Sequence, residues 1–142
     1  MPGHKFDYAI IRVVPRVERG EFINAGVIFY CRPLGFLDAR LGLDRARLLA
    51  LSPLAPADLD AIESALQLFP RVCAGDPTAG DIAGLPQAER FHWLVAPRST
   101  VTQTSPVHSG LCDDPAQALE QLLERMVGTA NPPASYQRTF TP

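Results

Sequence analysis

The sequence predicts an α+β fold, a mostly antiparallel sheet of about four strands with helices packed on one face. Three observations predict it. Two strand-like apolar runs near the amino end are followed by a third across a short Pro/Gly turn. Helical spacing of apolar residues then takes over from residue 45. One further alternating segment near residue 100 precedes a well-capped helix. Strands first and helices after is the α+β order, not the regular alternation of a parallel sheet.

Residues 7–14, "DYAIIRVV", are rich in β-branched residues and end at Pro15. Tyr8, Ile10, Arg12 and Val14 share one face, and Ala9, Ile11 and Val13 the other. Arg12 therefore interrupts an apolar face. Residues 24–31, "NAGVIFYC", are apolar on both faces, which suits a central strand covered on both sides. Gly26 near its start suits a bulge or a close backbone approach. The chain turns at Pro33–Gly35 and returns as a third strand, residues 36–41, so this pair is antiparallel.

Residues 45–51 form a short helix, and a main helix runs from about Pro56 to Phe69, where Pro70 ends it. Leu59, Ile62, Leu66 and Phe69 fall three or four apart and make its apolar stripe. Residues 73–86 are a Gly/Pro/Asp-rich loop. Pro86 opens a two-turn helix with Phe91 and Leu94 inward. Residues 99–105, "STVTQTS", alternate as a strand with one wet face. Asp114 caps the last helix, Pro115 opens it, and Leu119, Leu122, Leu123, Met126 and Val127 make its buried stripe. Residues 1–127 read as one globular domain and 128–142 as a polar, flexible carboxy-terminal tail.

Bulk properties narrow the function classes. The 142 residues are 46% hydrophobic and 20% charged, with a formal net charge of -2. That balance provides no global field toward nucleic acid or an anionic membrane. No stretch approaches a bilayer-spanning length, and the start lacks a secretion signal's cleavage site. Cys31, Cys73 and Cys112 are odd in number and have no C-x-x-C spacing. Reduced thiols in a cytoplasmic protein are the expectation.

Two polar segments carry the candidate site. The first joins the first two strands and holds Arg12, Arg16, Glu18, Arg19, Glu21 and Asn24. A connection of about ten residues is longer than a tight hairpin needs, and long loops at sheet ends often carry function. Arginines offer flat forks for carboxylate or phosphate, and glutamates orient them or take a proton. The plainer reading is a set of surface pairs, Arg16–Glu21 and Glu18–Arg19, each contributing about 0–1 kcal/mol. Arg12, inside a strand, needs a partner, and Glu18 or Glu21 is expected to supply it. The second segment, residues 96–110, sets Arg98, Ser99, Thr100 and His108 among further hydroxyls. Such a surface can donate hydrogen bonds to an oxyanion, although threonine also suits any exposed strand face.

Other chemistries find little support. Ser105, His108 and Asp113 or Asp114 suggest a triad on paper, but no G-x-S-x-G elbow is present and Ser105 precedes a proline. His4, His92 and His108 stand singly, so no metal site is expected. The glycines of 74–84 fit neither a nucleotide fingerprint nor a calcium loop, and no cofactor is expected.

The blocks "YAIIRVVPRVERGEFINAGVIFYC" and "WLVAPRSTVTQTSPVHSGL", with the helix "DDPAQALEQLLERMV", resemble the bacterial domain of unknown function 3037 family over residues 8–127. The matching polar positions are Arg16, Glu18, Arg19, Glu21, Asn24 and Gly26, then Pro97, Arg98, Ser99 and Thr100. The resemblance implies a small cytoplasmic protein with no assigned activity, brings no catalytic residues, and makes a HipA-like kinase conceivable as a partner. Three readings follow. The first is a binding module whose two segments meet and grip an acidic or phosphorylated group on a protein partner or anionic small molecule. The second is an enzyme acting on a nucleotide or phosphoester, with Glu18 or Glu21 as base and arginines as clamp. The third is an internal ion-pair network of Arg12, Glu18, Arg19 and Glu21 that holds the first turn.

Overall fold

The computed structural model describes residues 3–128. The expected tail, 128–142, lies outside them beyond Gly128. Strands β1 (His4–Val13), β2 (Ile23–Cys31) and β3 (Phe36–Leu41) form an antiparallel meander. The outer edge of β1 is shared by two further antiparallel strands, β4 (Thr102–Thr104) and β5 (His108–Cys112). The helices are α1 (Arg45–Leu51), α2 (Pro56–Cys73), α3 (Gln87–Leu94) and α4 (Pro115–Val127).

The α+β class holds, with the sheet in five strands because the fourth is broken. β4 and β5 both pair with β1 and are separated by Ser105–Val107. Pro106 has no N–H to give a ladder, so pairing must lapse there. Ser105 bridges the gap. Its N–H donates to Ile10 O at 2.8 Å. Its Oγ accepts the Ile10 N–H at 2.8 Å and donates to Pro106 O at 2.9 Å. A side-chain oxygen thus stands where a strand would supply a carbonyl.

β2 is buried on both faces, as its unbroken apolar run predicts. On one face Ala9, Ile11, Val13, Ile28 and Tyr30 pack against α1, α2 and α3 through Leu48, Ile62, Leu66, Phe69, Phe91 and Leu94. On the other, Phe6, Ile10, Val27, Phe29 and Cys31 pack under α4 through Leu119, Leu122 and Val127. The expectation of helices on one face is therefore corrected. A central strand apolar on both sides needs a cover on both sides, and α4 is the second cover. Burying side chains of this size contributes about 1.5–3 kcal/mol each.

Gly26 sits at a bulge, since Ile11 faces Gly26 but Arg12 faces Asn24, leaving Ala25 extra. A Cβ at Gly26 would lie 2.6 Å from Arg40 O, so the close approach requires glycine. α2 continues through Pro70 to Cys73, past its expected end. Pro70 removes one helical hydrogen bond. Val72 and Cys73, 0% and 4% exposed, anchor the extra turn in the core. The Arg90 Nη1 donates to Val72 O at 3.0 Å and Cys73 O at 2.8 Å, satisfying carbonyls that a helix end leaves open. Asp114 caps α4 as expected, accepting from Gln117 N at 3.2 Å.

The three cysteines are free. Burial pushes the Cys73 thiol up to about 12 and the Cys112 thiol up to about 11. No helix among the described residues is long and apolar enough to cross a membrane.

Candidate functional site

The two polar segments lie at the same end of the sheet. Val13 pairs with Thr102, and the Val14 N–H donates to Val101 O at 2.6 Å. The bend from Pro15 to Phe22 therefore leaves β1 beside the residues that lead into β4. It is a compact turn: the Arg19 N–H donates to Arg16 O at 2.9 Å, and Gly20 takes φ 74°, a left-handed conformation that glycine adopts without strain.

The ion pairs within the bend are local. Arg16 holds Glu18 through Nη2 at 3.1 Å, and Arg19 holds Glu21 through Nε at 2.6 Å. The expected pairs Arg16–Glu21 and Glu18–Arg19 do not form. Each glutamate stays anionic. Its own backbone N–H, then Arg16, holds the Glu18 carboxyl below the usual carboxylate range, and Arg19 does the same for Glu21. Glu21 in turn raises Arg19. All four side chains are exposed, so solvent screens both pairs and each contributes little to stability.

Arg12 takes neither glutamate, which corrects that expectation and the internal network built on it. Its guanidinium lies 4.1 Å from the Phe22 ring centroid, so a cation–π contact takes the place of an ion pair. Arg12 Nε and Asn24 Oδ1 are buried without a hydrogen-bond partner among the described residues. The two residues face each other across β1 and β2. The Asn24 Nδ2 donates to Met126 O at 2.8 Å, tying the start of β2 to the last turn of α4.

The second segment is also internally engaged. The Arg98 Nη2 donates to Trp93 O at 2.6 Å, and its guanidinium lies 4.6 Å from the Trp93 ring centroid. Arg98 thus closes the end of α3, and desolvation lowers its pKa. The Thr100 hydroxyl donates to Thr102 O at 2.8 Å. Ser99 is exposed beside it. His108 stands apart. It pairs with Tyr8 in β5, their rings 5.5 Å apart, away from the bend. Ser105, 3% exposed and bonded at both ends, has no free hydroxyl for a triad.

Between this end of the sheet and α2 runs a groove of about 440 Å³. Ala61, Ile62 and Ala65 of α2 and Leu54 before it form one wall, and Pro15 and Val101 the other. Asp58, Thr100 and Thr102 supply its polar atoms. Sequence reasoning did not include the α2 residues. Their only signal is Ala61 and Ala65, small side chains one turn apart that leave room on the helix surface. No group of three or more His, Cys, Asp or Glu is placed to hold a metal among the described residues.

No curated protein and no solved structure matches the chain. The DUF3037 family, described as proteins of unknown function, matches over residues 8–127, and the chain belongs to that family.

Proposed function

We propose that the protein is a non-catalytic binding module. Its site is the groove between α2 and the sheet end, with the Arg16–Glu21 bend at its mouth. The occupant is an extended segment of a partner protein, with an apolar side chain next to an acidic or phosphorylated residue. The observation that carries this reading is the position of Pro15, which is both the first residue of the bend and part of the groove wall. An apolar side chain in the groove brings the neighbouring acidic group to Arg16 and Arg19. A doubly charged phosphate displaces a glutamate readily, because a solvent-screened exposed pair holds only weakly. The groove lies within the roughly 300–1,000 Å³ of ordinary ligand pockets. An enzymatic role for Glu18 or Glu21 is disfavoured, since a general base working near neutrality needs a raised pKa and both are lowered.

The HipA-like kinase suggested by the family resemblance is the first partner to test, alongside acidic and phosphorylated peptides read by fluorescence anisotropy. Arg16→Gln with Arg19→Gln should weaken capture at least about tenfold, as should Ala65→Trp, which fills the groove. Melting temperatures of the arginine variants should stay near that of the parent, because the pairs are exposed. Unchanged capture in all variants refutes the proposal.

A further inference from the structure

We infer that a second cleft, at the opposite end of β1, is a site for a small phosphate-bearing molecule. The cleft of about 310 Å³ lies between the start of β1, the end of β2 and α3, and is lined by Lys5, Asp7, Tyr30, Arg32 and His92 among others. Asp7 faces Tyr30 across the two strands, and Arg32 follows the end of β2 as the first residue of a short 3-10 turn, Arg32–Leu34. Neither the Lys5 nor the Arg32 side chain has a hydrogen bond or ion pair among the described residues. Arg40 is engaged with Asp38 and Glu120, Arg45 with Glu63, Arg71 with Asp76, and Arg90 with carbonyls. Two cationic side chains without a protein partner among the described residues thus line one concavity.

The remaining groups fit an oxyanion. His92 lies one turn from Ala88 on α3, and both line the cleft, which adds a third donor. Asp7 is the one acid lining it, and its Oδ1 already accepts the Ser109 hydroxyl at 2.6 Å. Lys5 and Arg32 against Asp7 leave one net positive charge. A guanidinium fork and an ammonium point charge are complementary ways to hold a phosphate. The cleft is larger than a bare phosphate, and Pro33 and Ala88 give an organic body an apolar surface.

The test is an amide NMR titration of the full chain with inorganic phosphate at constant ionic strength. Saturable shifts should cluster around Lys5, Asp7, Arg32 and His92. Arg32→Gln should weaken binding about tenfold or more, while Arg45→Gln, on α1 and outside both clefts, leaves it unchanged. Arg32→Gln should melt near the parent, because the Arg32 side chain is exposed and has no partner among the described residues. Lys5→Gln repeats the test from the other strand. Diffuse shifts without saturation, meaning an adventitious ion only, would overturn the inference, as would full affinity in both cleft variants. Neither result touches the bend and groove, whose residues lie at the other end of β1.

Discussion

Replacing Ser105 by alanine tests how the broken edge of the sheet is held. Ser105 is 3% exposed and Ile10 is 7% exposed, so water does not reach the bond between them. Ser105→Ala removes the oxygen that accepts the Ile10 N–H at 2.8 Å. The Pro106 carbonyl loses a donor at the same time. A buried donor left without an acceptor costs about 1–3 kcal/mol. For a domain of this size each kcal/mol corresponds to roughly 4 °C in melting temperature, so the expected loss is about 4–12 °C. Urea unfolding should show a lower midpoint with an unchanged slope, since the surface exposed on unfolding is the same. Hydrogen exchange adds a local readout: the Ile10 amide should lose protection beyond the global change. Ser99→Ala, at an exposed position, is the control. If Ser105→Ala matches it to within about 0.5 kcal/mol, the hydroxyl is not a structural member of the sheet.

Two further expectations follow from the same packing and charges. Gly110 lies under Phe6, and an added Cβ would sit 2.7 Å from Phe6 Cζ. Phe6 is itself stacked on Phe29 at 4.4 Å, so Gly110→Ala should destabilise by about 1–3 kcal/mol in urea, and a neutral result would mean the ring moves freely. Glu18, Glu21 and Asp76 are held below their ordinary values of 4.5, 4.5 and 3.8. Depressed folded-state values favour folding above the ordinary value, and the contribution disappears as pH falls through the lowered one. Stability should therefore decline below about pH 4.5, and Glu18→Gln with Glu21→Gln should flatten that decline. An identical pH profile in the double variant would show that the bend's pairs do not matter even in acid.

How much was legible before the structure depends on how local each signal is. The stripe of Leu59, Ile62, Leu66 and Phe69, the Asp114 cap and the Gly26 bulge all rest on neighbours within a few residues, and all appear as read. β5 was missed because its signature is weak: His108, Ser109 and Gly110 lack β-branched side chains, and Gly110 is needed by an aromatic ring far away in sequence. The end of α2 was placed at Pro70 because proline's local cost is visible, whereas the anchoring of Val72 and Cys73 in the core is not.

For the candidate site the division is similar. That Arg12 needs a buried partner was legible from a charge inside an apolar strand, but its partner is Phe22, an aromatic ring instead of a carboxylate. Arg98 was legible as a polar outlier, yet only the fold directs it to the Trp93 carbonyl. By itself the sequence determined the class of fold, most element positions and the two polar segments, because hydrophobic period, caps and turns act over a few residues. Only the tertiary structure decided which face α4 covers, which glutamate each arginine meets, and that Lys5 and Arg32 line one cleft. Those outcomes depend on strand register and on contacts between segments distant in the chain, which no local pattern encodes.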